Sequence, residues 1–273
     1  MAAVTWGRTE AMTSAFTITV EGATLSGVRR GQSASPLVFI HGMAGCRADW
    51  NRLWAELPAE MALLRYDLRG FGASAAQDDR PFSHADDLHA LLDALGIMRA
   101  IPVGLSMGGA IALNFALSYP ERVEKLVLIS PAVVGWEWSD EWKTLWRDVS
   151  APARAGEMML ARERWWMHPM FAKARESEAG EELRQAIEAY PGEQWVHDNQ
   201  RAELPDIDRL HTLTPSTLLM SGMKDVADMR LIADVIEGAS PDVSRIDYPD
   251  AGHMLHLERP HEVARALQDF LAP

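Results

Sequence analysis

Short apolar runs alternate with stretches of helical periodicity along much of this chain. Leu37 to Ile40, Ala62 to Tyr66, Ile101 to Leu105 and Lys125 to Ile129 are almost continuously apolar, the mark of strands buried on both faces. Phe16 to Glu21 and Ala23 to Val28 flank Gly22 and predict a hairpin. Trp50, Leu53, Trp54 and Leu57 recur at helical spacing. Ser83 to Leu95 predicts a helix, with Ser83 and Asp86 in capping-box-like spacing and Gly96 as its stop. Ser216 to Met220 and Val243 to Tyr248 resume the strand pattern around a helix at Met229 to Glu237, and a last helix spans about His261 to Leu271. This alternation predicts an α/β fold: a parallel sheet with helices on both faces.

From about Gly135 to Pro205 the alternation stops. No strand pattern is visible there, only helical periodicity and the indoles of Trp136, Trp138, Trp142, Trp146, Trp165, Trp166 and Trp195. The organisation expected is a core of residues 1–134 and 206–273, interrupted by a helical insertion over 135–205.

Composition narrows the partners. Of the 273 residues, 48% are hydrophobic, enough for a substantial core, and 26 basic against 39 acidic residues leave a net charge of −13. No basic tract stands out, which argues against nucleic acid. Met1 to Phe16 carries Arg8 and Glu10 and no continuous apolar stretch, and no apolar run approaches a membrane span. The expectation is a cytoplasmic monomer or homodimer acting on a small molecule, with no membrane partner. Cys46 is the single cysteine, so neither an intramolecular disulfide nor a thiolate metal cluster is expected.

The chemistry is concentrated after strands. Gly104-Leu105-Ser106-Met107-Gly108-Gly109 joins an apolar run to a helical stretch, a G-x-S-x-G pattern in the strand–turn–helix setting of a nucleophile elbow. Small neighbours let a strained turn thrust the serine outward, and a helix N-terminus favours negative charge. Asp225 follows one later strand and His253 the last, giving the order serine, acid, histidine at the strand edge where open α/β sheets place their sites. Asp228 is a second candidate for the acid. Asp250 suits a turn before Gly252, and His256 and His261 suit packing or surface roles.

With His41-Gly42, Asp67-Leu68-Arg69-Gly70-Phe71-Gly72-Ala73-Ser74, the elbow, the Gly222/Asp225 loop and Gly252-His253 in order, the chain resembles the α/β-hydrolase superfamily, specifically its capped members. The resemblance implies a mostly parallel eight-stranded sheet, with the insertion as a cap. It makes Ser106 the nucleophile, His253 the general base then acid, and Asp225 its orienting partner. The backbone N–H groups of Met43 and Met107 become the oxyanion hole. It also makes His41 a brace of the oxyanion loop and pairs Asp67 with Arg69, and it implies no cofactor and no metal. Cys46 is expected to be a small buried hydrophobe.

Trp138, Trp142, Leu145, Trp146 and Val149 share one helical face. Most of the indoles are expected to pack the insertion onto the core. Trp138, Trp142 and Trp166 are the candidates for substrate contact, above an apolar floor that includes Met43 and Met107. Leu64 to Gly70, Leu91 to Ile97 and Gly104 to Gly109 look closest to the 3-oxoadipate enol-lactonases and related esterases, although those often lack the His41-Gly42 pair. The resulting expectation is a serine hydrolase of a carboxylic ester or lactone with a modest-sized, largely apolar substrate. Two alternatives stand beside it. One is a carbon–carbon bond hydrolase of aromatic ring-fission products, a group that usually carries asparagine where Leu105 stands and tryptophan where Met254 stands. The other is a triad-containing small-molecule receptor.

Overall fold

The four apolar runs form the centre of one sheet because neither of their faces meets water. The computed structural model describes residues 4–9 and 13–272, so part of the stretch 1–16, read above as having no continuous apolar stretch, lies outside the described residues. In chain order the strands are β1 (Val4–Thr9), β2 (Thr13–Val20), β3 (Ala23–Arg30), β4 (Leu37–Ile40), β5 (Leu63–Tyr66), β6 (Ala75–Ala76), β7 (Ile101–Leu105), β8 (Leu126–Ile129), β9 (Thr217–Gly222) and β10 (Val243–Tyr248). They line up as β1-β2-β3-β5-β4-β7-β8-β9-β10, with β6 beside β3. Every pairing from β5 across to β10 is parallel, and those of β1, β2, β3 and β6 are antiparallel.

Among the described residues the sheet has ten strands, where eight were expected. β1 extends the antiparallel edge, and β6 is a two-residue pairing with Ala23 and Thr24, too short to leave a periodic signal. The order also fixes where a site belongs. From β4 the chain passes to β5 on one side, while β7 pairs with β4 on the other. The crevice of such a switch point opens at the carboxyl ends of β4 and β7.

The helices are α1 (Asn51–Glu56), α2 (His84–Ala94), α3 (Met107–Ser118), α4 (Asp140–Arg154), α5 (Met158–Trp166), α6 (Ala172–Arg175), α7 (Gly180–Ala189), α8 (Glu193–Val196), α9 (Ala227–Ala239), α10 (Leu255–Glu258) and α11 (Pro260–Leu271). α1, α10 and α11 pack together as one layer. α2 and α3 form the other, with α9 joined to α3 through the 3₁₀ turn Asp206–Thr212. Between β8 and β9 the described residues hold only helices, α4 to α8 and short 3₁₀ turns. Their core is indole. Trp165 packs against Trp146, Trp195, Phe171 and His168 with ring centroids 5.3–6.1 Å apart, and Trp195 is fully buried.

One pairing differs from expectation. Asp67 does not pair with Arg69. Its carboxylate accepts from the backbone N–H groups of Arg47 (2.7 Å) and Ala73 (3.0 Å) and from the Arg47 guanidinium. The chain turns through left-handed Gly70 and Gly72 and wraps back over this carboxylate. Arg69 instead grips buried Asp87 of α2 with two bonds of 2.6 and 2.9 Å and reaches the Glu21 carbonyl at 2.7 Å. Arg69→Ala would leave the Asp87 carboxylate buried without its charge partner, a loss of about 3–5 kcal/mol. Denaturant titration of the variant should show that drop; a change below about 1 kcal/mol would contradict the pair's role in holding the loop to α2.

Candidate active site

The turn between β7 and α3 is strained in a way only its neighbours permit. Ser106 has φ 54° and ψ −119°, a conformation costing about 1–3 kcal/mol for a residue with a side chain. A Cβ on Gly104 would run into the Gly108 carbonyl, and one on Gly108 into the Ile40 carbonyl. The turn is anchored by Ser106 N–H to the Ile129 carbonyl (3.1 Å) and by the Ser106 carbonyl, which accepts from Ala110 and Ala132 at 3.0 Å each. Met107 opens α3, so its N–H belongs to the first-turn donors that have no acceptor within the helix.

Against this turn lies the one that follows β4. A Cβ built on Gly42 would sit 3.4 Å from the Ser106 Cβ, so the two segments are in van der Waals contact. Gly45 N–H closes the turn on the Gly42 carbonyl at 3.2 Å, and Ala44 within it has φ 60°. Buried His41 braces its base: Nε2 accepts from Leu68 N–H (3.1 Å) and Nδ1 donates to the Gly42 carbonyl (2.9 Å). Burial pulls its pKa below the ordinary histidine value, so the ring stays neutral.

The last two parallel strands bring the acid and the histidine together. His253 Nδ1 lies 2.6 Å from Asp225 Oδ2, with both side chains 2% exposed. An ionised carboxylate only accepts, so Nδ1 carries the hydrogen and Nε2 of the neutral ring is an acceptor. The two loops meet backbone to backbone, because a side chain on Gly222 would collide with the Gly252 carbonyl. Lys224 N–H to the Ala251 carbonyl (2.9 Å) and Met223 N–H to the Tyr248 carbonyl (3.0 Å) stitch them. Asp225 Oδ1 accepts from Val226 N–H at 2.7 Å, which fixes the carboxylate plane. Ser106 and His253 line one small cavity of about 20 Å³.

Sequence reasoning missed Glu258. This buried carboxylate of α10 accepts from Gly252 N–H (2.6 Å) and Met254 N–H (3.1 Å), gripping the backbone on both sides of His253. Its pKa is raised, chiefly by burial. A glutamate five residues beyond the histidine was the available signal, but the pattern placed the helix start later, near His261. Asp228 is occupied elsewhere. It accepts from Trp136 Nε1 (3.0 Å) and from the N–H (3.1 Å) and hydroxyl (2.6 Å) of Ser139, tying α9 to the start of α4. Asp250 is exposed, and exposed His261 lies 3.2 Å from Glu56. His256 is buried against Trp50 and drops to about 3, mainly through burial. Cys46 is half-buried with its Sγ toward Asp49, and burial pushes its thiol up to about 12.

Trp138 and Trp142 stack with centroids 4.3 Å apart and, with Ser106, Met43 and Met107, line a second cavity of about 320 Å³. Trp166 does not reach it. Neighbouring positions on α5 point about 100° apart. Trp165 therefore turns inward to that cavity while Trp166 lines an outer depression with Met159 and Arg162.

A family model described as alpha/beta hydrolase fold matches residues 35–260. The dihydrolipoyllysine-residue acetyltransferase component of the acetoin cleaving system from Pseudomonas putida is 30% identical in a match that covers 88% of this chain and 64% of that protein. The chain thus spans just under two thirds of that relative's length. The 2-hydroxymuconate semialdehyde hydrolase of Pseudomonas sp. (strain CF600) is 28% identical over 87% of each chain. Among solved structures, a thermophilic esterase from Thermogutta terrifontis superposes with a TM-score of 0.77 at 27% identity, covering 99% of this chain and 98% of that one.

Glu258→Ala removes the acceptor for two buried amides, at about 1–3 kcal/mol for groups left unsatisfied. Hydrogen exchange at Gly252 and Met254 should speed up at least about tenfold. Unchanged protection at both amides would show that this carboxylate does not hold the histidine loop.

Proposed function

The chain belongs to the alpha/beta hydrolase fold family and is a hydrolase; on that premise we propose that it cleaves carboxylic esters or lactones through an acyl-enzyme on Ser106. The observation that carries this reading is the Asp225–His253 pair at 2.6 Å, with His253 and Ser106 lining one cavity. Ser106 Oγ attacks the carbonyl carbon while His253 Nε2 takes its proton, and Asp225 holds the ring in the required tautomer. Negative charge on the carbonyl oxygen is met by the N–H groups of Met43 and Met107. Losing one such donor costs about 10²–10³ in turnover. His253 then protonates the departing alkoxide, and water, deprotonated by the same nitrogen, releases the acid.

Residues 135–205 act as a cap over the core of 1–134 and 206–273, and Trp138 and Trp142 contact the apolar part of the substrate. Carbon–carbon cleavage of a ring-fission product is the second reading, favoured by the likeness to the semialdehyde hydrolase. It requires polar groups that hold a dienolate as it forms. Beside Ser106 and His253 stand apolar Leu105 and Met254, which supply no side-chain donor for that charge. Ester or lactone cleavage needs none beyond the oxyanion pair.

Hydrolysis of p-nitrophenyl acetate and butyrate by the wild type, Ser106→Ala and Asp225→Asn checks the assignment. The serine variant should lose about 10⁴-fold or more in kcat and the aspartate variant about 10²–10⁴-fold, with the fold retained by circular dichroism. Equal rates in wild type and Ser106→Ala would remove Ser106 from the chemistry. Cleavage of a vinylogous diketone faster than any ester would favour the second reading.

A further inference from the structure

Ser106 stands at the junction of two cavities of very different size. Both include Met43, Ser106, Trp165 and Met170 in their walls. The larger, about 320 Å³, extends over Met107, Ala110 and Ala132 toward the stacked indoles of Trp138 and Trp142. The smaller, about 20 Å³, is the one that His253 lines, with buried Asp49, Phe171, Leu183 and Ile187 also in its wall. About 10–15 Å³ of such volume holds one water molecule, so the smaller space takes a group of one or two heavy atoms.

We infer that the substrate is divided at Ser106 into a bulky aryl-bearing acyl group in the indole-lined cavity and a methanol-sized alcohol in the cavity of His253. This rests on the serine hydrolase reading above and specifies its substrate class. The direction follows from proton transfer. In the first step the Ser106 Oγ–acyl carbon bond forms and the acyl carbon–alkoxide bond breaks. The alkoxide leaves with the proton that His253 took from Ser106. That oxygen must lie within hydrogen-bond reach of Nε2, so the alcohol side faces the cavity that contains His253. The acyl chain is directed into the cavity that lacks it.

The second step uses the same geometry. Water must approach the acyl carbon from the side of His253 to give up its proton, and the small cavity has the size of one water. Once the small alcohol departs, the nucleophile for deacylation takes its place. A large alcohol would have to displace Leu183 or Ile187, both of which are buried in the insertion. The indole stack offers the opposite chamber a flat apolar wall suited to an aromatic ring.

Two isomeric esters separate the two sides at constant composition: methyl 3-phenylpropanoate, with the phenyl group on the acyl side, and 2-phenylethyl acetate, with it on the alcohol side. Wild-type kcat/KM should favour the methyl ester at least about tenfold, with Ser106→Ala as background. Within esters of 3-phenylpropanoic acid, the rate should fall from methyl to propyl to hexyl. Equal or reversed preference between the isomers overturns the partition while leaving ester hydrolysis in place. Hydrolysis of neither isomer also overturns it, and covalent labelling of Ser106 by an organophosphorus fluoridate then shows whether the serine hydrolase reading falls too.

Discussion

The site depends on main-chain segments lying closer together than side chains permit. Gly104 and Gly108 let the Ser106 turn fold under the end of β4, against the Ile40 carbonyl. Gly222 lets the acid loop sit directly on the Gly252 carbonyl, which brings Asp225 within 2.6 Å of His253. Both contacts are made at the carboxyl edge of the parallel sheet, the first beside the β4–β7 switch point and the second after β9 and β10. A methyl group at either place would separate the Ser106 turn from the end of β4, or the Asp225 loop from the His253 loop. Backbone contacts of this kind hold position better than long side chains do, because little conformational freedom remains to be lost.

Charge is handled by burial around that frame. Burial pulls His41, His168 and His256 below the ordinary histidine value, His168 to about 4 and His256 to about 3. They remain neutral at physiological pH. Asp225 therefore has His253 as its ring partner, and none of these three rings competes for it as a fixed positive charge. Glu258 contributes through the backbone, holding the amides before and after His253.

Much of this was legible in the amino-acid order, for identifiable reasons. Strands buried on both faces leave continuous apolar runs, so β4, β5, β7 and β8 stood out. The functional loops follow strands, so Ser106, Asp225 and His253 could be located by pattern. What escaped notice was either too short or too distant. β6 has two residues, and the partners of Asp67 and Arg69 lie 20 and 18 positions away, Arg47 before the loop and Asp87 after it. Trp165 and Trp166 are adjacent large indoles, and composition alone does not say which turns inward. The two cavities arise from packing between the insertion and the core, which no local pattern encodes.

We propose Ser106 as the nucleophile, activated by His253 and Asp225. The most direct measurement is covalent labelling with an organophosphorus fluoridate, followed by intact-mass analysis and peptide mapping. One adduct per chain is expected, located on Ser106 within the peptide that spans β7 and α3. An adduct elsewhere, or one of the same mass and rate in Ser106→Ala, would contradict it.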